Sequence, residues 1–374
     1  MTLENVFNTC AVGPVTLPNR VAFPAWALNY ANLDGTVSDK LMKFYTDLAD
    51  GGCGLIFTGA AVVTADGVPF NRVMHIDRDD CVPGLKTLFD AIRQRGAKSA
   101  IQLVHYGRQS STSVSGDVLM APSAIPCPVM SQYDPEYKVR EMTIDDIQHL
   151  RTAFVAAAKR AADAGVDMVE VHACHGYMLN EFLSPYSNKR TDGYGGNAEN
   201  RARLIVEIIS DIRGELGDQT AICLRVSGHE FVEGGLVPDD FKELTPMFEQ
   251  AGIDMISVAA GVYESMQRIV PPHTLGAVPH AEIAAAFKSF ANVPVCAVGS
   301  ILDLNTAESF LTEGRADVTA MGRAQMADPY MVSKHKEGKS GEIRKCKHCN
   351  SCTFWTTGDP EVYCAVNPDY KKPD

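Results

Sequence analysis

Short runs of β-branched and apolar residues alternate along this chain with longer stretches in which apolar positions recur every three or four residues. The runs predict eight strands, at residues 21–26, 54–57, 98–103, 168–172, 221–226, 255–258, 294–298 and 317–321. Between them the helical period is explicit: Leu41, Phe44, Tyr45 and Leu48 share one helix face, as do Leu85, Leu88, Phe89 and Ile92. Thr143 with Asp146 three residues on reads as a capping box, and Gly51, Gly96, Gly165, Gly252 and Gly314 each close a helical run. The recurring order of helix, glycine, short gap and strand marks consecutive βα units with parallel strands. Because no GxGxxG follows the first strand, the α/β pattern predicts a closed (β/α)8 TIM barrel rather than an open doubly wound sheet.

A chain of 374 residues with 45% hydrophobic and 21% charged positions is an ordinary globular composition, and one barrel with insertions accounts for the length. A net charge of −12 argues against nucleic acid or an anionic membrane surface as a partner. No run approaches the ~20 apolar residues of a membrane span, and the start MTLENVF lacks the basic-then-apolar order of a signal peptide. The expected address is cytoplasmic and the expected partner a small-molecule substrate; homo-oligomerisation stays open.

Eleven cysteines cannot all pair. Cys10, Cys53, Cys81, Cys127, Cys174, Cys223 and Cys296 are scattered among apolar positions and read as small core residues of a reduced protein. Cys346, Cys349, Cys352 and Cys364 form a Cx2Cx2Cx11C cluster near the end. This divides the chain into a barrel over 1–340 and a short cysteine-rich, metal-binding extension over 341–374. The spacing alone leaves zinc and an iron–sulfur cluster comparable.

In barrels of this class the chemistry sits where strands end. His172 and His175 leave the fourth predicted strand three residues apart, near enough to reach one pocket, with Tyr177 beside them. No HExxH or HxxEH accompanies them, so a metal is not expected there. Two imidazole N–H groups converging on one point suit a carbonyl or developing oxyanion, and Tyr177 could deliver a proton; spacing alone fits two structural histidines better. The seventh and eighth strands end in AVGS and MGRA, where Gly299, Ser300, Gly322 and Arg323 offer backbone amides, helix N-termini and a guanidinium to a phosphate. Arg225 lies inside an apolar strand and needs an electron-rich ligand or a carboxylate such as Glu170. The Ser-, Pro- and Gly-rich segment 105–141 reads as a loop over this face, either a substrate lid or an insertion without a role.

The run HGYMLNEFLSPYSNKRTDGYGGNAENRARL, the strand end QLVHYGR, LPNRVAFP near the start and the VGS and MGR ends together resemble the Old Yellow Enzyme superfamily of FMN barrels, over roughly residues 5–370. The resemblance implies that Pro24, Ala25 and Trp26 line the flavin, that Ala60 and Gln102 touch its ring, and that Arg225 sits at its N1–O2 edge. Gly299, Ser300, Gly322 and Arg323 would hold the FMN phosphate, His172 and His175 would bind the substrate oxygen, and Tyr177 would donate the proton. Trp26 departs from the family pattern, in which a small or sulfur-bearing residue is commoner. The cysteine tail is similar to the iron–sulfur branch containing 2,4-dienoyl-CoA reductase and trimethylamine dehydrogenase, which favours a [4Fe-4S] cluster over zinc. That branch normally continues past the point where this chain stops at Asp374. Electrons are therefore expected from NAD(P)H directly or from a separate electron-transfer protein. Tyr263 falls where the dienoyl reductases place a second acid, a histidine. The leading expectation is an ene-reductase; the alternatives are an amine or N-methyl dehydrogenase, with Trp26, Tyr30 and Tyr177 as an aromatic bowl, and a non-catalytic electron relay.

Overall fold

The computed structural model describes residues 3–110, 112–115, 118–134, 136–275, 280–353 and 361–371. Eight parallel strands carry the barrel: β1 Val21–Phe23, β2 Leu55–Val62, β3 Lys98–Val104, β4 Met168–Ala173, β5 Ala221–Ser227, β6 Met255–Ala259, β7 Val295–Val298 and β8 Val318–Ala320. The barrel closes where β8 pairs with β1, Thr319 opposite Val21 and Ala320 opposite Ala22. All eight expected strands are present, with ends shifted by a few residues; β2 runs five residues further than the pattern suggested, through a register shift between Thr58 and Ala61.

Two hydrophobic layers follow from the two-residue alternation along each strand. Ala22, Leu55, Phe57, Ala100, Met168, Cys223, Met255, Cys296 and Val318 fill the barrel interior. Their neighbours Val169, Val171, Ile222 and Leu224 point outward and pack against the surrounding helices. Those helices include α1 Asp39–Asp50, α2 Val82–Gln94, α3 Ile144–Asp163 and α4 Ala198–Leu216. Leu41, Phe44, Tyr45 and Leu48 of α1 are all buried, as are Leu85, Leu88, Phe89 and Ile92 of α2. Each such side chain stabilises the fold by about 1.5–3 kcal/mol. The capping box of α3 is complete: Thr143 Oγ1 accepts from Asp146 N while Asp146 accepts from Thr143 N. After α1, the left-handed residue is Gly52 (φ +86), not Gly51. Gly51 is needed for another reason, since a Cβ there would lie 1.8 Å from Pro329 O.

A hairpin that the periodicity did not announce, Cys10–Val12 with Val15–Leu17, places Cys10, Val12, Val15 and Leu17 in the interior cluster. It packs against Met168, Ala221 and Met255 at the N-terminal ends of the strands, and so stops that end of the barrel. Within 105–141, Leu119–Ala121 pairs with Val139–Glu141, and the side chain of Arg108 is buried with its guanidinium near Glu264. Positions 111, 116, 117 and 135 of that segment lie outside the described residues. The cysteine-rich extension docks on the barrel: Cys352, Val362, Cys364 and Tyr370 join the main core, Tyr370 Oη donates to Asp47 Oδ2 at 2.6 Å, and Val362 N donates to Leu28 O at 3.1 Å. Among the described residues no helix is long and apolar enough to cross a membrane.

Candidate active site

At the C-terminal end of the strands a cavity is lined by Pro24, Ala25 and Trp26 after β1, His175 and Tyr177 after β4, Arg225 of β5, Gly299 and Ser300 after β7, and Gly322 and Arg323 after β8. Ten of the thirteen residues expected at the barrel site therefore share one wall. The other three lie near it. Ala60 faces a smaller adjoining hollow, and Gln102 and His172 are buried behind the wall.

Several lining residues had no signal in the sequence: Phe70, Ile269, Val270, Pro271, Ile301, Leu302 and Thr353. They come from loops and, for Ile269, a single helical turn, whose positions only tertiary packing sets. A further hollow, about 350 Å³, is lined in part by Ser115, Val118, Leu119 and Met120. Its polar side chains already have partners, His105 with Asp66 at 3.7 Å and Arg140 with Asp146 at 2.6 Å.

The end of β4 is held in an uncommon backbone shape. His175 has φ +62, and its N–H donates to Ser227 Oγ at 2.8 Å, which in turn donates to Gly261 O at 2.8 Å. Gly176 N donates to Asn180 Oδ1 at 2.7 Å, and Asn180 Nδ2 to the buried Glu230 at 2.8 Å. A side chain at position 176 would strike Gln109. This pinning brings the rings together: the centroid separations are 5.4 Å for His172–His175, 5.1 Å for His172–Tyr177 and 6.2 Å for His175–Tyr177. Burial holds both histidines well below their ordinary pKa, with Arg225 adding to the effect, so both are neutral. Burial also pushes the Tyr177 phenol up, which keeps its proton on Oη. Tyr263 Oη lies 3.3 Å from Tyr177 Oη.

Three sequence expectations are corrected here. Arg225 is not hydrogen-bonded to Glu170: its Nε is left without a partner, and Cys223 Sγ and Gln102 Nε2 are the donors to Glu170 among the described residues. Glu170, fully buried, accepts from Gln102 Nε2 at 2.5 Å instead. Register explains this, because Arg225 sits opposite His172, while Gln102 and Cys223 flank Glu170 one layer deeper. Second, Tyr30 does not join an aromatic bowl with Trp26 and Tyr177. Its hydroxyl donates to Val362 O and its ring packs on Phe44 and Tyr370, under the extension. Third, the histidine pair does have a third potential metal donor: Cys174 Sγ lies 3.2 Å from His172 Nδ1, and one donor atom from each of His172, Cys174 and His175 lies within 4.8 Å of the others. The donor is a thiol lying between the two histidines in sequence, not a carboxylate.

The wall can be tested against the groups it is expected to hold. Arg225 is 5% exposed and its Nε is buried without a partner. A guanidinium in that state calls for an electron-rich ligand, and the pyrimidine edge of a flavin is one. Trp26 stacks on Phe23, and a Cβ on Gly322 would lie 2.8 Å from the indole, so glycine is what admits this bulky ring. The four C-terminal cysteines line one small hollow together with Arg323 and Asn350. No three of their sulfurs come within 4.8 Å of one another, among the described residues. A tetrahedral zinc with Zn–S bonds of ~2.3 Å would draw them to about 3.8 Å.

Comparison with known proteins agrees with this geometry. The family model described as NADH:flavin oxidoreductase / NADH oxidase matches residues 5–342. An NADH oxidase of Thermoanaerobacter brockii is 38% identical over 368 residues, covering 97% of this chain and 56% of the relative. A 2-naphthoyl-CoA reductase in complex with 2-naphthoyl-CoA superposes with a TM-score of 0.92 at 30% identity, over 98% of this chain and 57% of that one. A histamine dehydrogenase from Rhizobium sp. 4-9 superposes with a TM-score of 0.88 at 28% identity, over 98% and 53%. The chain thus spans about half the length of each of these three.

Proposed function

The chain belongs to the NADH:flavin oxidoreductase / NADH oxidase family, and from that premise we propose that it binds FMN in the cavity above β1, β7 and β8 and acts as an ene-reductase on an activated C=C bond. The observation that carries the reading is the meeting at one cavity of a buried guanidinium with an unpartnered Nε, Arg225, with the neutral imidazole of His175 and the protonated phenol of Tyr177, both backed by the neutral imidazole of His172. FMN, when bound, would exchange a hydride with the substrate. Pro24, Ala25, Trp26, Ala60, Gln102 and Arg225 would hold its ring, and Gly299, Ser300, Gly322 and Arg323 its phosphate.

The remaining chemistry belongs to the side chains. His172 and His175, held neutral by burial, donate hydrogen bonds to the oxygen that activates the double bond and strengthen them as charge grows there. Tyr177 holds its proton on Oη until a carbanion-like α-carbon takes it. The Tyr263 hydroxyl, 3.3 Å away, is placed to return a proton to Tyr177. Functionally the chain divides near residue 340, with flavin chemistry in 1–340 and a [4Fe-4S] cluster on Cys346, Cys349, Cys352 and Cys364 in 341–374. NAD(P)H or a separate redox protein supplies the electrons.

A second reading, an amine dehydrogenase, draws support from aromatic side chains other than the expected ones: Tyr106 and Tyr263 pack on Tyr177 at 4.4 and 5.8 Å between centroids, and Phe70 packs on Tyr106. Such a surface suits a cation. A dehydrogenase and a reductase both stand among the similar structures. Anaerobic stopped-flow separates the two. Reoxidation of photoreduced protein by an enone supports the ene-reductase, and reduction of the oxidised protein by a methylated amine supports the dehydrogenase. Neither reaction would leave an electron relay and sink both.

A further inference from the structure

One guanidinium serves two hollows. Arg323, at the start of the helix Gly322–Ala327, lines both the large cavity and the hollow of the four cysteines. An arginine has five N–H donors. Both on Nη1 are taken by protein acceptors, Pro271 O at 2.7 Å and Asn350 Oδ1 at 2.6 Å, and one on Nη2 goes to Ser300 Oγ. Among the described residues the N–H of Nε and the second N–H of Nη2 are left, and together they make one fork for two oxygens of an anion.

Asn350 sits inside the chelating stretch, between Cys349 and Cys352. Its backbone is left-handed, with φ +56, and its carbonyl accepts from Thr353 N at 3.0 Å and Thr353 Oγ1 at 2.7 Å. Its Nδ2 donates to Val270 O at 3.4 Å. Thr353 and Val270 both line the large cavity. The amide is therefore fixed at its backbone by the cysteine turn and at its oxygen by the guanidinium.

We propose that Asn350 couples the two sites: ligation of Cys349 and Cys352 fixes the turn that carries Asn350, and Asn350 Oδ1 then holds Arg323 with its remaining fork toward the flavin phosphate. The proposal rests on both site assignments made above. Filling the four-thiolate site prepays the ordering of this turn, so FMN binds more tightly; by linkage FMN tightens the site for its metal by the same factor. Couplings between sites typically span about 5–150-fold. One hydrogen bond to a charged donor places this one near tenfold.

The test measures the FMN dissociation constant of the full chain by ultrafiltration, once after anaerobic reconstitution with iron and sulfide and once after chelator stripping. Wild type is expected to bind FMN about tenfold more weakly when stripped. Asn350→Gly, which tolerates the left-handed backbone and removes only the side chain, is expected to bind weakly in both states with a ratio near one; Asn350→Asp, which keeps an acceptor, retains the ratio. Equal affinities for wild type in the two states overturn the coupling, as does a full ratio in Asn350→Gly. Should that variant not fold, the reciprocal experiment needs no substitution: iron retention by wild type against a chelator, with and without FMN, must differ by the same factor. Unchanged FMN affinity in Arg323→Ala would instead remove the phosphate assignment, and failure to take up iron would remove the cluster assignment, each taking the coupling with it.

Discussion

Tyr177 and the two histidines act at different moments, and single substitutions should separate them. Tyr177→Phe removes one hydroxyl from a ring packed on Tyr106 and Tyr263. It is expected to slow reoxidation by an enone by a factor on the order of 10²–10⁴, with flavin retained and enone affinity nearly unchanged, as stopped-flow amplitudes and titrations would show. Replacing either histidine with alanine should cost about 2.7–4 kcal/mol of transition-state stabilisation and weaken binding as well, because the same contact exists before reaction. The protonation of the pair gives a further handle. Both folded pKa values lie below the ordinary histidine value, so below about pH 6.5 the unfolded chain takes up protons that the folded one refuses. Stability from this source falls as pH drops through that value and is fully present above it. In urea melts at pH 5 and pH 7, His172→Gln should lose less stability between the two than wild type, by up to about 1.4 kcal/mol per pH unit. A parallel loss in both proteins would mean His172 titrates normally.

At the scale of elements, strand-end glycines do steric work that can be checked one at a time. Gly299 has φ +139, and a Cβ there would lie 2.1 Å from His280 Nδ1. Gly299→Ala should displace the turn after β7, weaken FMN retention in gel filtration and lower thermal stability by about 1–3 kcal/mol. Retained flavin with an unchanged melting temperature would detach this turn from the phosphate site. The βα rhythm made all eight strands legible, since helix stripes and strand alternation are local periodicities. The hairpin at residues 10–17 escaped because its strands stand outside the strand–helix rhythm that marks the equally short β1 and β8. The site was readable where a strand end supplies the residue, as with His175, Arg225 and Arg323. It was not where a loop returns from elsewhere, as with Phe70 or Pro271. Tyr30 misled for a related reason: its neighbours in sequence face the cavity, but its hydroxyl satisfies Val362 O in the docked extension.

For the whole molecule, the extension is part of the core, and Cys349, the exposed member of its set, is the place to probe the cluster. Anaerobically prepared protein should contain about four irons per chain; Cys349→Ser should abolish them with the barrel still folded by circular dichroism. Stoichiometric zinc without acid-labile sulfide would reverse the choice of metal. The hairpin of residues 10–17 carries a different consequence. With Cys10, Val12, Val15 and Leu17 stopping the N-terminal end of the barrel, reductant and oxidant have to use the same door above the strands. If NAD(P)H is the donor, the two substrates must take turns, and steady-state rates plotted in double-reciprocal form should give parallel lines, with each substrate inhibiting at high concentration by occupying the place of the other. If a redox protein instead delivers electrons through the cysteine tail, the door is free for the oxidant throughout and the mutual inhibition at high concentration should vanish.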